Sequence, residues 1–489
     1  MATVPPRRTH LAATAKKAML QYGFVPDFPP AALAELAQAE QRAAQVTAAA
    51  AVKDLRELLW SSIDNMESKD LDQIEVAERV GVDIRVLVGV ADVDALVSKG
   101  SALDVRAAAN TCSIYTGVAT FPMLPEVLST NLTSLNQDVD RLAIVLEFVV
   151  KPDGALGTSS VYRAKVRNHA QLAYDELADF LEGKGPVPPR VSRLPALGDQ
   201  LKLQDEAAQR LRHLRHDHGA LELETIEAHP VTKDGEVVSL EVTKKSHSRE
   251  LIEDFMIAAN GVMARYLEGK HRPGLARVVK TPKRWDRIVQ LAGALGVKLP
   301  ADPDPVALAN FLTGQRAKDP LHFGDLSLSV VKLLGPGEYV VNSDAHRSEG
   351  HFGLAVQDYT HSTAPNRRYS DLITQRLLKA TLTDSPPPYT EEELGPIAQH
   401  CTAKEDDERR VERFMRKVAA ADFLSHHIGE IYDAIVTGVG DKGTFVRLIA
   451  PPAEGRVVQG NTGLDVGDSL KVKLLATTPD KGFVDFARA

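Results

Sequence analysis

The sequence predicts an α+β protein of several domains, in which a small helical domain, a mixed α/β domain and a small β-barrel follow one another. Its 489 residues are too many for one ordinary hydrophobic core. Ala, Leu, Gln and Glu dominate residues 9–50, as they do in helices. Residues 429–489 instead carry short apolar segments separated by Gly, Asp and Pro, which is typical of a closed barrel such as an OB fold.

The helical domain is predicted to cover residues 1–51. Residues 23–30 interrupt it, and their prolines suit a turn and the first turn of the next helix, where a missing N–H costs little. Two helices around a turn form either a helix-turn-helix or a plain hairpin that binds nothing, and the sequence leaves both open.

The mixed α/β domain is predicted to cover residues 52–428. Residues 84–92 and 142–150 have the apolar runs of buried strands, and residues 161–167 alternate apolar and basic side chains as a half-exposed strand does. Long helices are predicted over residues 203–218, 251–267 and 392–426. The highly charged centre of the last helix is interpreted as a solvated face.

The composition excludes several classes of protein. No apolar run is long enough to span a membrane, and residues 1–8 lack the apolar core of a signal peptide. Cys112 and Cys401 are far apart and have no CxxC spacing, so reduced thiols in a cytoplasmic protein are expected. A net charge of -8 excludes a coat of basic residues but allows a local basic channel for nucleic acid. A monomer without an obligatory protein partner is expected.

Residues 62–73 contain a first candidate site, with Asp64, Asp70 and Asp72 close together in sequence. Neighbouring carboxylates repel one another, and a fold tolerates them most readily when a cation lies among them. Mg²⁺ prefers carboxylate oxygens and keeps some of its waters. A magnesium site for phosphate chemistry is therefore the functional interpretation, although on spacing alone a solvated acidic loop is the commoner explanation.

Residues 351–372 contain a second candidate site. Pro365 fixes a turn, and Arg367 and Arg368 follow it at the start of a predicted helix. Adjacent arginines beside a turn can hold a phosphate with bidentate geometry. Taken by itself, an ordinary solvated arginine pair remains the alternative.

The two candidate sites together resemble the ribonuclease II and ribonuclease R family. Residues 351–372, HFGLAVQDYTHSTAPNRRYSDL, are similar to the family signature HFGLAL-x-x-Y-T-H-F-T-S-P-I-R-R-Y-x-D-L. The aspartate run resembles the family's metal-binding stretch, which begins T-I-D and ends D-x-D-D. Further matches occur in order at residues 91–92, 100–104, 121–129 and 251–260, so that the resemblance covers residues 60–425.

The resemblance implies an RNB-type mixed α/β catalytic domain with the activity of a processive, hydrolytic exoribonuclease. Such an enzyme degrades single-stranded RNA from its 3′ end, in a channel that ends at Mg²⁺, and releases nucleoside 5′-monophosphates. Residues 429–489 resemble the S-one-type OB domain, an RNA-binding domain that ends members of this family.

The resemblance also implies the metal ligands. Asp64 and Asp70 would bind Mg²⁺, and Asp72 would be both a ligand and the aspartate most critical for activity. Gln73 stands at the fourth acidic position, where the family has aspartate. An amide oxygen can bind a metal without contributing charge, so the alternative is a noncatalytic or weakly active RNA-binding protein on the same fold. The intact Asp72 and Arg367 favour an active enzyme.

The RNA contacts follow from the same resemblance. Arg367 would lie at the scissile phosphate, with Arg368 as its neighbour in the RNA-binding surface. Tyr115 would stack near the terminal nucleotide, and Glu412 aligns with a glutamate that contacts the 3′-terminal nucleotide. Phe445 in the OB domain either stacks a base or packs inward, and the sequence leaves both open.

Overall fold

The computed structural model describes residues 7–224, 228–233, 236–242 and 245–489. The helices in these ranges are α1 (Arg7–Gln21), α2 (Pro30–Ala49), α3 (Ala102–Asn110), α4 (Tyr174–Leu181), α5 (Pro189–Ser192), α6 (Leu197–Asp217), α7 (His247–Gly269), α8 (Trp285–Ala294), α9 (Pro305–Lys318), α10 (Phe323–Leu334), α11 (Tyr369–Leu382) and α12 (Glu391–Leu424). The strands are β1 (Lys53–Asp54), β2 (Trp60–Asp64), β3 (Gln73–Val80), β4 (Asp83–Ala91), β5 (Ile114–Tyr115), β6 (Thr120–Phe121), β7 (Asp140–Val150), β8 (Leu156–Ala173), β9 (Ala228–Lys233), β10 (Glu236–Val242), β11 (Gly274–Val278), β12 (Glu338–Asn342), β13 (Ile431–Gly440), β14 (Gly443–Leu448), β15 (Glu454–Gln459), β16 (Ser469–Thr478) and β17 (Phe483–Arg488).

The N-terminal helices confirm the helical pattern predicted for residues 9–50. Pro30 begins α2, and its missing N–H costs little because the first N–H groups of a helix make no hydrogen bond within the helix. Leu36 and Ala39 of α2 are buried in the main hydrophobic core, and α1 contacts α12. The helical pair is thus packed onto the rest of the protein. Its use as a helix-turn-helix stays a prediction, and residues 1–6 of the predicted domain lie outside the described ranges.

A six-stranded sheet with the order β1-β8-β2-β3-β4-β7 forms the centre of the molecule. β8 is 18 residues long, and it pairs with β7 along its first part and with β2 along its last part. Helix α7 packs against the sheet, with the ring of Phe255 edge-on to that of Phe148. β2 and β3 are neighbours in this sheet, and the loop between them carries the predicted aspartates.

The periodic segments of the sequence form the elements predicted for them. β4, β7 and β8 confirm the three central strands, and β8 extends beyond its prediction in both directions. Helices α6, α7 and α12 confirm the three long helices. Within the described part of the chain, the structure contains no helix of the length and apolar character that crossing a membrane requires.

The C-terminal strands form a closed barrel in the order β13-β14-β15-β17-β16, which confirms the predicted barrel. β15 was not predicted, because Val457 is its only buried residue and no apolar alternation marks the strand. Helix α12 reaches the barrel and contacts β16 and β17, and Arg447 of β14 donates a hydrogen bond to Asp325 of α10 at 2.9 Å. The domain boundaries after residues 51 and 428 stay predictions.

Candidate active site

The loop between β2 and β3 holds the predicted aspartates. β2 ends at Asp64, whose Oδ1 accepts a hydrogen bond from the hydroxyl of Ser68 at 3.0 Å. Asp72 directly precedes β3, and its carbonyl oxygen accepts the backbone N–H of Ala91 at 2.9 Å. Asp70 lies between them in the loop. The sheet therefore positions Asp64 and Asp72, whereas the conformation of the loop positions Asp70.

Asp72 is buried between the aspartate loop and the arginine motif. Its Oδ1 accepts a hydrogen bond from the backbone N–H of Asn366 at 3.0 Å. Its Oδ2 is buried without a hydrogen-bond partner among the described residues, and Nε of Arg367 lies 3.7 Å away. Burial raises the pKa of Asp72 to about 7, although the positive charge of Arg367 acts in the opposite direction. One oxygen of Asp72 thus lacks a hydrogen-bond donor from the described part of the chain.

The two adjacent arginines have different environments. The side chain of Arg367 is 46% exposed beside Asp72, and its carbonyl oxygen accepts the backbone N–H of Ser113 at 3.0 Å. Arg368 turns inward, where its Nη2 donates to Oδ1 of the buried Asp371 at 2.7 Å. Only Arg367 therefore faces the aspartates. The placement of Arg368 favours a structural role over a phosphate contact, and its predicted RNA contact stays untested.

Tyr115 connects the aspartate loop to helix α12. Its hydroxyl donates to Oδ2 of Asp70 at 2.8 Å, and its backbone N–H donates to Oε1 of Glu412 at 3.1 Å. Burial of the hydroxyl and the negative charge of Asp70 raise the pKa of Tyr115, so this group remains a hydrogen-bond donor. The side chain is nevertheless 40% exposed, which leaves ring surface available for a ligand.

The structure brings six of the predicted residues into one site: Asp64, Asp70, Asp72, Tyr115, Arg367 and Glu412. Phe445 lies elsewhere, on β14 of the barrel. Its side chain is 38% exposed, so of the two placements that the sequence left open the outward one is present. The roles assigned to these residues stay predictions.

The aspartates carry more negative charge than the neighbouring arginine can balance. Burial raises the pKa of Asp64, and the charge of Asp70 adds to this effect at both Asp64 and Asp72. Across the described ranges, no three His, Cys, Asp or Glu side chains converge as a preformed metal site. Mg²⁺ usually binds one or two carboxylates together with waters and substrate phosphates, so Oδ2 of Asp72, which accepts no hydrogen bond from the described residues, and its acidic neighbours fit this ion.

The prediction that the charged centre of α12 is a solvated face is wrong near the site. Oε1 of Glu405 accepts a hydrogen bond from Nη2 of Arg277 at 2.7 Å. Glu408 is partly buried, and burial together with the charges of Glu412 and Glu405 raises its pKa to about 8. Glu405, Glu408 and Glu412 are spaced three and four residues apart and so share one helix face. Because the sequence analysis had already selected Glu412, this spacing could have revealed the other two glutamates.

Two further buried residues escaped the sequence patterns. Asn366 stands where the quoted signature has isoleucine, and its Oδ1 accepts a hydrogen bond from the hydroxyl of Thr133 at 2.5 Å. Glu75 on β3 is fully buried, and neither of its carboxylate oxygens has a hydrogen-bond partner in the described part of the chain. Glu75 lies just beyond the aspartate motif, so no signal in the sequence pointed to it.

Two of the motif matches outside the site include buried hydrogen bonds between distant parts of the chain. Oδ1 of Asn260 accepts both the backbone N–H and the hydroxyl of Ser362 at 2.8 Å. Oδ1 of Asp104 accepts a hydrogen bond from Nη1 of Arg376 at 2.7 Å. These contacts give the matches at residues 251–260 and 100–104 a structural explanation.

The central sheet with its acidic loop and facing arginine, followed by a five-stranded barrel, defines a protein of the RNB class. The chain belongs to this family: the RNB domain matches residues 52–384, and the RNase II-type exonuclease C-terminal S1 domain matches residues 430–489. The family resemblance inferred from the sequence is thereby confirmed.

Individual relatives agree with this assignment. The chain is 30% identical over 477 residues to Ribonuclease R of Vibrio cholerae, covering 88% of this chain and 56% of the relative. It is 31% identical over 419 residues to Ribonuclease R of Escherichia coli, covering 81% of this chain and 49% of the relative. The chain thus spans about half the length of the curated relatives it matches.

A solved structure shares the fold. Mycoplasma genitalium RNase R in complex with ribose methylated single-stranded RNA superposes with a TM-score of 0.85 at 22% sequence identity. The match covers 98% of this chain and 78% of that one. The sheet, the helices and the barrel therefore occur together in this relative.

Proposed function

We propose that this protein is a Mg²⁺-dependent, hydrolytic 3′-to-5′ exoribonuclease that degrades single-stranded RNA processively to nucleoside 5′-monophosphates. The observation that carries the proposal is the buried Oδ2 of Asp72, which has no hydrogen-bond partner among the described residues and lies 3.7 Å from Nε of Arg367. Membership of the RNB family and the likeness to relatives named Ribonuclease R support the reaction class. We further propose that the enzyme is cytoplasmic, in keeping with its two buried free cysteines, and that it works as a monomer.

Asp64, Asp70 and Asp72 would hold the metal. When bound, Mg²⁺ supplies positive charge to the phosphate oxygens and lowers the pKa of a coordinated water. The sheet holds Asp64 and Asp72 on the ends of adjacent strands, while Asp70 is oriented by the hydroxyl of Tyr115 at 2.8 Å.

Arg367 would stabilise the charge that develops on the scissile phosphate. Its guanidinium is half exposed, beside Asp72, and its backbone is tied to Ser113. A fixed cation at this place stabilises the transition state more than the substrate, because charge accumulates on the phosphate oxygens during attack. Attack of water on phosphorus breaks the bond to the 3′ oxygen and leaves the phosphate on the released nucleotide, which gives a 5′-monophosphate.

Tyr115 and the barrel would hold the RNA. The ring of Tyr115 can stack on the last base, and such stacking contributes about 1–3 kcal/mol per base without sequence preference. Glu412 accepts the backbone N–H of Tyr115 and would contact the 3′-terminal nucleotide. Phe445 is exposed and would stack on bases further along the strand. Contacts to the 2′-hydroxyl would select RNA over DNA.

Digestion of end-labelled single-stranded RNA tests the proposal. With Mg²⁺, a 3′-labelled RNA is expected to release labelled mononucleotide at once, and a 5′-labelled RNA to shorten to a small end product. EDTA should abolish both results. RNA binding without mononucleotide release in Mg²⁺ would instead support the noncatalytic alternative that Gln73 raises.

A further inference from the structure

The two N-terminal helices have little of the charge that contact with nucleic acid requires. Helix α2, the second of the pair, contains Arg42 as its single basic residue, together with the acidic Glu35 and Glu40. The guanidinium of Arg42 donates to the carbonyl oxygen of Leu96 at 2.9 Å, so it already has a partner within the protein. Because the second helix of a helix-turn-helix lies in the major groove, where Lys and Arg hold the phosphates, α2 is poorly suited to that use.

The turn between α1 and α2 is instead bound to the end of α3. Asn110, the last residue of α3, is buried and forms two hydrogen bonds with the backbone of Val25. Its Oδ1 accepts the N–H of Val25 at 2.9 Å, and its Nδ2 donates to the carbonyl oxygen of Val25 at 3.0 Å. The guanidinium of Arg106, also on α3, donates to the carbonyl oxygens of Val25 and Asp27. Specific hydrogen bonds therefore fix the turn on α3.

Apolar contacts attach the helical pair to the same part of the protein. Met19 of α1 and Phe24 of the turn are both buried. They belong to one hydrophobic cluster with Cys112 and Ile114, which follow α3 in the chain. Ile114 is the first residue of β5 and directly precedes Tyr115. The helical pair therefore packs against the residues that lead from α3 to Tyr115.

The segment from Thr111 to Tyr115 also contacts the arginine motif. Thr111 ends α3 in the left-handed region, with a φ of 62°, which a residue other than glycine adopts only where surrounding contacts hold it. Its carbonyl oxygen accepts the backbone N–H of Tyr369 at 2.7 Å. The backbone N–H of Ser113 donates to the carbonyl oxygen of Arg367 at 3.0 Å. The end of α3 thus sets the path of the chain into the candidate active site.

We propose that the N-terminal helices clamp the segment from Thr111 to Tyr115, and that Asn110 is a positioning residue for Tyr115 in RNA binding. The inference rests on the proposed function, because it takes the ring of Tyr115 to stack on the last base of the RNA. Asn110 and Arg106 are buried, so their effect on RNA is indirect. They hold the end of α3 against the turn at Val25, and the chain runs from there into β5.

A double-mutant cycle tests whether Asn110 acts through Tyr115. The affinity of the full-length protein for a short single-stranded RNA is measured by fluorescence anisotropy, in an Asp72→Asn background where RNA is not consumed. Asn110→Leu removes both hydrogen bonds to Val25 and is expected to weaken binding about fivefold or more. When Tyr115→Ala is also present, Asn110→Leu is expected to change the affinity less than about twofold, because the ring that it positions is absent. A merely structural loss would be equal in both cases.

Three further variants are the controls. Asn110→Asp keeps an acceptor for the N–H of Val25, while Arg106 still donates to its carbonyl oxygen, so RNA affinity should be retained. The loss caused by Asn110→Leu should persist in full beside Phe445→Ala, which alters only the barrel. Lys17→Glu reverses an exposed charge on α1 and should leave RNA affinity unchanged. Thermal unfolding checks folding, and Arg106→Met, which frees the turn but keeps Asn110, replaces Asn110→Leu if that variant does not fold.

Equal losses from Asn110→Leu with and without Tyr115→Ala would overturn the proposal, as would undiminished affinity in folded Asn110→Leu or in Tyr115→Ala. Binding weakened about fivefold or more by Lys17→Glu would mean that the helical pair contacts RNA directly, and this result would also overturn it. If the protein without substitutions releases mononucleotides from RNA but Asn110 and Tyr115 are not coupled, the inference fails and the proposed function stands. If the two residues are coupled but no mononucleotide is released, the proposed function fails alone.

Discussion

Two acidic regions meet at the candidate active site, and they differ in what their carboxylates contact. On helix α12, Glu405 accepts a hydrogen bond from Arg277, and Glu412 accepts the backbone N–H of Tyr115. Asp72 of the aspartate loop accepts the backbone N–H of Asn366, and Nε of Arg367 lies 3.7 Å from its other oxygen. Asp72 and Glu405 each keep one buried oxygen without a hydrogen-bond partner among the described residues, but only Glu405 of the two is hydrogen-bonded directly to arginine. The comparison indicates that a carboxylate hydrogen-bonded to arginine builds the site, whereas Asp72, whose charge is less fully compensated, is available to a ligand.

Asp72→Asn is the strongest test of this comparison. The amide keeps the shape of the side chain but removes the charge that a cation needs, so RNA cleavage is expected to fall at least about 100-fold. Binding of single-stranded RNA should persist. Single-turnover cleavage and fluorescence anisotropy measure the two effects.

The matched control for Asp72 is Asp407→Asn on α12, because Asp407 is already paired with Arg410 at 3.0 Å. This variant should cleave RNA at the wild-type rate. Cleavage by Asp72→Asn at a rate close to wild type would remove Asp72 from its assigned role.

The adjacent arginines give the next largest contrast. Arg367→Gln is expected to reduce cleavage about 100-fold with little change in stability, because its side chain faces the phosphate position. Arg368→Gln is expected to lower the free energy of unfolding by about 3 kcal/mol, because Asp371 is left buried without its partner. Urea unfolding measures the stability of both variants, and cleavage assays measure their activity. If both variants lost the same activity and had the same stability, the different roles of the two arginines would be contradicted.

Two variants of Tyr115 separate the contribution of base stacking to RNA binding from that of the hydrogen bond to Asp70. In an Asp72→Asn background, where RNA is not consumed, Tyr115→Ala is expected to weaken RNA binding by about 1–3 kcal/mol. Tyr115→Phe keeps the ring and should lose only about 1 kcal/mol or less. Affinities for a short single-stranded RNA measure both effects, and an equal loss in the two variants would argue against stacking.

The smallest expected effect is the pH dependence of stability that Glu408 contributes. Burial and its acidic neighbours raise its pKa from an ordinary 4.5 to about 8, so between these values the folded state holds a proton that the unfolded state has lost. Stability contributed at Glu408 therefore falls as pH rises through this window. Glu408→Gln should flatten that fall in urea unfolding series, and an unchanged slope would show that Glu408 is ionised in the folded protein.

Much of the fold and of the site could be predicted because the signals are local. Helical periodicity marked α6, α7 and α12, and apolar runs marked the central strands. The roles of Asp72 and Arg367 were inferred from the resemblance of several ordered motifs to a known family, because either motif taken alone favoured a solvated loop or arginine pair. β15 was missed for the corresponding reason, since Val457 is its only buried side chain and leaves no pattern to detect.

The sequence by itself determined which residue types occur at the motifs and how the helices and strands follow one another, because periodicity and turn chemistry act over a few residues. Only the tertiary structure decided which charged groups find partners. Asp72 meets Asn366 across 294 residues, and Tyr115 meets Glu412 across 297. Such contacts depend on how the sheet and α12 pack, so the inward turn of Arg368 and the unpartnered burial of Glu75 emerge only in the folded chain.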